Sequence, residues 1–291
     1  MEETRQAEKV LQEIGIPPQP KVVLEVFKEI KSPNPSVKKI ADLAATDQAL
    51  SARIIKVINS PFYGRRMSIN SIQHALTMLG LKNFAKVVLA ASLREALAGG
   101  GKPDPYLEKL WRHAVSVAKT AEFISVWMQA LVSPEEAYMT GLFHDGGMPL
   151  MRKRFANYGD FLKDPSVFNG NQTEQERGVF AIDHALLGSM LAKSWGIPRP
   201  IHQAIRYHHA LEPSELSDLE ESRMWLVLRL SDYIAEYCAW RNGQDTLEYF
   251  QFDNPEEAGF TPELLGPFGY QVDSVRDMRD DALTLLTWTE D

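Results

Sequence analysis

Residues 107–131 read LEKLWRHAVSVAKTAEFISVWMQAL. Leu110, Trp111, Ala114, Val115, Ala118 and Ala121 recur at intervals of three and four, the spacing that lines one face of an α-helix. The same period continues on both sides. PSVKKIADLAATDQALSARIIKVINS, residues 35–60, places Val37, Ile40, Leu43 and Ala44 on one stripe and Leu50, Ile54, Val57 and Ile58 on another. SINSIQHALTMLGLKNFAKVVLAASLREAL, residues 68–97, repeats it, with Ser71 as a cap and Gly80 as a stop. MWLVLRLSDYIAEYCAW, residues 224–240, carries Leu226, Leu230, Tyr233, Ile234 and Tyr237. Alternation of the strand kind is not sustained over several segments. The expected class is all-α, a multi-helix bundle around a shared core.

Helix breakers divide the chain. GIPPQP (15–20) opens the first packed region, and SPNP (32–35) is a turn. AGGGKPDP, from Ala98 to Pro105, is the strongest internal break and separates two lobes. KDPSVFNGNQTEQ (163–175) reads as a polar loop. From about residue 242 the chain is rich in Gly, Pro and acid, and SVRDMRDDALTLLTW (274–288) reads as a last amphipathic helix. The expected boundaries are a domain over 10–240, with an N-terminal helical lobe over 10–97 and a second lobe over 106–240, then a C-terminal helical extension over 241–291.

The bulk properties narrow the function. A 44 % hydrophobic share across 291 residues is enough for a real core. The net charge of −8 argues against nucleic acid and against an anionic membrane as partners. A lone cysteine, Cys238, rules out an intramolecular disulfide and falls in an apolar stretch, as a small buried hydrophobe does. The polar start, MEETRQAEKV, lacks the apolar core of a signal peptide. A soluble, cytoplasmic protein is expected.

Six of the seven histidines fall between residues 113 and 209. His113 lies in WRHAVSVA, His144 and Asp145 in GLFHDGGMPL (141–150), His184 in IDHALLGSM, and His208 and His209 close IHQAIRYHHA. Asp232 sits among Leu228, Leu230, Tyr233 and Ile234, where a carboxylate is costly to bury unpaired. A divalent cation shared with several imidazoles would satisfy it. The adjacent His144 and Asp145 can reach one ion only where a helix ends, and HDGG reads as such an end. SWGIPRPIHQAI stops a helix at Gly196 and starts another at its prolines, which puts His208 and His209 at that helix's far end. His74 stands apart and reads as structural. Arg65 and Arg66, in NSPFYGRRMSINSIQ, read as a solvent-facing loop rather than a ligand surface.

The order His113, His144–Asp145, Asp232 resembles the ligand pattern of the HD superfamily of metal-dependent phosphohydrolases. The wider context, GIPPQPKVVLEVFKEIKSPNPSVKKIADLAATDQALSARIIKVINSPFYG followed by LWRHAVSVAKTAEFI, AYMTGLFHDGGMPLM, DHALLGSMLAKSWGIP and IRYHHA, resembles the HDOD family over roughly residues 10–235. Those are HD-related output domains of bacterial signalling proteins. The resemblance implies a helical fold and a regulatory role. It also implies a divalent metal (Fe, Mn, Zn or Mg), as one or two ions, with His113, His144, Asp145 and Asp232 at a first position. His184, His208 and His209 line up with the extra histidines of the two-metal branch that cleaves cyclic di-GMP, in which Asp145 would bridge. His209 is also the candidate general acid or phosphate ligand.

Two departures argue against cyclic di-GMP hydrolysis. Met148 stands near the place where that branch carries a lysine. HHALEPSELSDLEE replaces its Gly-Tyr-Pro loop. Such groups bind substrate rather than metal, so a metal site can outlast the chemistry. The first functional reading is therefore a signal-transduction module acting through a signalling protein partner or a small ligand. The second is a metal-dependent phosphohydrolase acting on a nucleotide or phosphoester.

Overall fold

A computed structural model of the chain describes residues 13, 15–59, 69–98, 104–129, 132–167, 172–212, 216, 218–244, 246 and 253–285. Helices form the framework, and no strand occurs among the described residues. The expected all-α class holds. The chain divides into two compact units, residues 17–101 and residues 102–286, with residues 13, 15 and 16 belonging to the latter.

The N-terminal unit contains α1 (Lys21–Ile30), α2 (Val37–Ala45), α3 (Gln48–Ile58) and α4 (Ile72–Ala98). Short polar side chains fix three helix starts. Ser36 Oγ accepts from the Lys39 amide at 3.3 Å, Asp47 from the Leu50 amide at 2.9 Å, and Ser71 from the His74 amide at 3.1 Å. Val37, expected on an apolar stripe, is 48 % exposed. It is the first residue of α2, at the open end, while Ile40, Ala41 and Ala44 hold the buried face. Gly80 does interrupt the helix, at φ 72° and ψ 169°, but the helix resumes and runs on to Ala98. Phe84, Val87, Val88 and Leu93 beyond the kink are fully buried, so the glycine redirects a helix instead of ending one. Asn59 pairs with both backbone groups of Ile69, donating to its carbonyl at 2.7 Å and accepting from its amide at 2.8 Å. Arg65 and Arg66 lie outside the described residues. By length and composition α4 is long and apolar enough to cross a membrane, but 61 % of its apolar window is buried inside the protein, as in a core helix.

The second unit contains α5 (Pro105–Trp127), α6 (Pro134–Phe143), α7 (Gly147–Arg154), α8 (Tyr158–Phe161), α9 (Gln172–Phe180), α10 (His184–Ser194), α11 (Arg199–Tyr207), α12 (Leu219–Arg241), α13 (Pro262–Leu265) and α14 (Val272–Leu285). Helix α5 packs on α6 and α12, and α11 packs on α10 and α12. With α5, α6, α11 and α14 around it, α12 is buried on nearly every side: Leu226, Leu230, Ile234 and Cys238 have no exposure. Burial pushes the Cys238 thiol up to about 12, so it stays protonated. The C-terminal residues lie on the same helices. Trp127 Nε1 donates to Asp281 at 3.0 Å, the Tyr270 hydroxyl donates to the Met128 carbonyl at 3.1 Å, and the Arg279 guanidinium stacks 4.1 Å over the Tyr237 ring.

The helix end expected at HDGG is present: α6 stops at Phe143 and α7 starts at Gly147. The glycines serve close approach there, not a left-handed turn. A Cβ on Gly147 would lie 1.9 Å from the His184 carbonyl oxygen, and one on Gly141 would lie 2.7 Å from the backbone of Ala118. These contacts set the spacing of α7 against α10 and of α6 against α5. Gly147→Ala is expected to lower stability by about 1–3 kcal/mol or more, because backbone must move to admit the methyl. Gly178→Ala, in α9 with open space around the new methyl, is expected to raise stability by about 0.5–1 kcal/mol. Urea midpoints of the two variants check the pair.

Candidate metal centre

Five helix segments bring the candidate residues together in the second unit. His113 lies within α5, on the face that also buries Leu110, Ala114 and Val117. His144 and Asp145 follow α6, His184 opens α10, His208 and His209 follow α11, and Asp232 lies within α12. The interior around them is almost closed to water: Asp145 is 3 % exposed and His184 not at all.

The imidazoles are turned by what lies behind them. His144 Nδ1 is 2.7 Å from the Gly141 carbonyl, and His208 Nδ1 is 2.7 Å from the Ile205 carbonyl. A carbonyl only accepts, so both Nδ1 atoms carry hydrogen and both Nε2 lone pairs face inward. Each of these histidines uses an orphan carbonyl of the helix it terminates. His113 Nδ1 lies 2.7 Å from Glu236 and His184 Nδ1 2.7 Å from Glu176. Acceptors placed behind imidazoles in this way orient and strengthen metal ligands.

The inward atoms fall into two groups that share Asp145. In the first, His113 Nε2 is 3.2 Å from His144 Nε2 and 3.2 Å from Asp232 Oδ1, and Asp145 Oδ2 is 3.1 Å from His144 Nε2 and 3.6 Å from His113 Nε2. In the second, Asp145 Oδ1 is 3.6 Å from His184 Nε2 and 3.5 Å from His208 Nε2, while His184 Nε2 and His209 Nε2 are 3.0 Å apart. Ligands held about 2.0–2.2 Å from one ion stand roughly 3–3.5 Å from one another, so these separations are of coordination size. Two atoms of the set, His208 Nε2 and Asp232 Oδ1, are buried and make no hydrogen bond. Buried polar atoms are rarely left so, and a cation would engage both. The histidine and aspartate clusters could therefore hold metal, and the residues present fit that group.

The charged groups of the cluster shift one another. Burial opposes charge on His113, yet the carboxylates of Asp232 and Glu236 outweigh it and hold its pKa well above the ordinary value. Glu176, likewise working against burial, raises His184 to about 9. Burial is also outweighed at Asp145, where His144, His208 and His184 hold the carboxyl well below its usual range. His209 goes the other way: burial, then His208 and His184, push it well below 6.5 and keep it neutral.

Some features of the site were not anticipated. Glu236 stands four residues after Asp232 and so shares its helical face, a signal that was present in the sequence. Glu176 gave none. It is fully buried and accepts from the Tyr158 hydroxyl at 2.7 Å, from Gln172 Nε2 at 3.1 Å and from the His184 amide at 2.8 Å. His209, assigned to proton transfer or phosphate, stands directly beside His184 in the second group. Helix α12 also pins the turn that carries the paired histidines. Trp225 Nε1 donates to the Tyr207 carbonyl at 3.0 Å, and Arg229 Nη1 donates to those of Ala210 and Leu211 at 3.3 and 3.4 Å. Met148, near the place where the resemblance puts the lysine of the cyclic di-GMP branch, is buried with its sulfur 3.8 Å from the Tyr106 hydroxyl. His74 lies in the other unit and His202 is half-buried on α11; neither belongs to either donor group.

An all-helical domain with histidines and aspartates converging in its interior defines the class. The family follows from comparison: residues 16–211 match the HDOD domain, and the chain belongs to that family. A protein of Treponema pallidum (strain Nichols) described as uncharacterized is 23 % identical over 261 residues, covering 86 % of this chain and 49 % of that protein. The chain thus spans about half the length of the curated relative it matches. An HDOD domain protein of unknown function from Geobacter sulfurreducens superposes with a TM-score of 0.65 at 22 % identity, over 98 % of each chain. A Shewanella amazonensis SB2B protein provisionally called a phosphohydrolase gives 0.66 at 19 % identity, over 94 % of this chain and 93 % of that one. A Marinobacter aquaeolei VT8 protein provisionally called a signal transduction protein gives 0.65 at 18 %, over 96 % and 65 %. These likenesses show the shared fold.

Glu176→Ala leaves His184 Nδ1 and the Tyr158 hydroxyl facing a dry hole. It is expected to lower stability by about 3–5 kcal/mol, the range for breaking a buried pair from one side. Chemical denaturation measures it.

Proposed function

We propose that this chain is a regulatory signal-transduction domain whose interior holds one or two divalent cations, and that it acts through contacts with a signalling protein or a small ligand. One observation carries the reading. The donor atoms are preset, with Nε2 lone pairs turned inward by acceptors behind them, in an interior almost closed to solvent. His113, His144, Asp145 and Asp232 would hold one ion; Asp145, His184, His208 and His209 would hold a second. The imidazole-rich set favours Fe, Mn or Zn over Mg, which prefers oxygen ligands. Its acidic balance leaves nucleic acid and anionic membranes outside this reading. The tight burial of Asp145 and the apolar Met148 support a structural and signalling role over turnover of a bulky substrate.

A second reading has its own observation. Asp145 offers one oxygen to each donor group, which is how a carboxylate bridges a two-metal hydrolytic centre. Metal bound there supplies an activated water and a clamp for phosphoryl oxygens. In this reading the chain is a phosphohydrolase acting on a nucleotide or phosphoester. The buried, neutral His209 would be a second-group ligand, and phosphate would have to be met by groups other than His209.

Elemental analysis of the protein purified without chelator, with Asp145→Ala as the control, tests both readings. Near-stoichiometric Fe, Mn or Zn that the variant loses, with no hydrolysis across a phosphoester panel, is the expected result. Robust hydrolysis lost in Asp145→Ala would replace the first reading by the second. Protein that takes up no metal even after supplementation would remove the cations from both.

A further inference from the structure

The histidines of the second donor group come from two separate helices, α10 and α11, and an ion pair between the buried Asp183 and the half-buried Arg206 joins them. Asp183, which precedes His184, has no exposure. Its Oδ1 caps α10 by accepting from the Leu186 amide at 2.7 Å. Capping needs a single oxygen, yet both oxygens are engaged further. Arg206 Nη1 lies 3.1 Å from Oδ1 and 3.2 Å from Oδ2, and Arg177 Nη1 lies 2.6 Å from Oδ2. Arg206 stands two residues before His208 and three before His209. The contact therefore ties the start of α10, where His184 sits, to the end of α11, where the paired histidines sit. The first donor group is joined differently, by Glu236 of α12 standing directly behind the ligand His113 of α5, 2.7 Å from its Nδ1. His113 and Asp232 sit mid-helix in α5 and α12, two long helices packed against each other.

The geometry points to Arg206 and Asp183 as positioning residues of the second donor group: their ion pair sets the separation of His184 from His208 and His209, and so governs the second cation selectively. The inference rests on the two-cation reading given above. Neither residue offers an atom to the cation. They act on where the ligands stand, as outer partners of ligands do.

The test titrates the metal-depleted full chain with Mn2+ and resolves two equivalents. The native protein is expected to take up both. Arg206→Met is expected to keep the first equivalent and to bind the second on the order of 10–100-fold more weakly. Arg206→Lys, whose ammonium can stand where Nη1 stands, is expected to recover most of that loss. Asp183→Asn keeps the shape and the cap to Leu186, so it serves where the methionine variant does not fold; it too is expected to weaken the second equivalent. Two equivalents of unchanged affinity in folded Arg206→Met, or in Asp183→Asn, would overturn the inference and leave the two-cation reading intact. Equal weakening of both equivalents would also overturn it, by showing a general loss of structure. A native protein that takes up fewer than two equivalents would bring down the two-cation reading and this inference with it.

Discussion

The second unit turns on one constraint: Asp145 is a carboxylate in an interior that excludes water, and the half-buried Asp232 stands in the same cluster. A buried charge is tolerated only when it is paired and its remaining lone pairs are met. Four imidazoles meet these two, those of His113, His144, His184 and His208, and each has its own acceptor behind it. The demand thus spreads outward in layers, from carboxylate to histidine, and from histidine to Glu236, Glu176 and two helix-end carbonyls. The helices around the centre are placed to satisfy that chain of hydrogen bonds as much as to bury apolar surface. Gly141 and Gly147 belong to the same scheme, since they let α6 approach α5 and α7 approach α10 closely enough for the side chains to converge.

Much of this was legible in the sequence, for a physical reason. Helical periodicity is a local property, so the apolar stripes of α2 to α5 and of α12 could be read directly. The histidines of α5, α10 and α11 and the aspartate of α12 stood out because polar groups amid apolar stripes demand an explanation. Family resemblance then put them in order. What could not be read depended on packing between distant segments. Glu176 belongs to a stretch that follows a polar loop, and nothing near it announces that it will be buried against Tyr158 and His184. Gly80 carried a stop signal that was correct for the local backbone. The buried residues beyond it, Phe84 through Leu93, decided that the helix would go on. HDGG was read correctly as a helix end, but the need of Gly147 there is steric and involves the carbonyl of a residue far along the chain.

The two functional readings share the same inner architecture and differ in what reaches it. Within the site, the atoms that would face a cation are well supplied, whereas Met148 puts a thioether where a cationic side chain would serve an anionic substrate. A centre of this kind resembles a keystone: it can hold several helices in register whether or not anything is turned over there. A domain so held can then report, through its helices, a change made at its surface.

Helix α12 has one more consequence. Trp225, Arg229, Asp232 and Glu236 follow one another at three- and four-residue steps along it, and each makes a different contact to the centre: two backbone clamps, one carboxylate at the donor group, one acceptor behind His113. A substitution at any of the four removes one contact. An inserted or deleted residue within the helix would rotate everything beyond it by about 100° and break the set together. Over evolutionary time, then, this segment can drift in its letters but not in its length. Related chains that change size are expected to do so in the connections on either side of it, where no such register has to be kept.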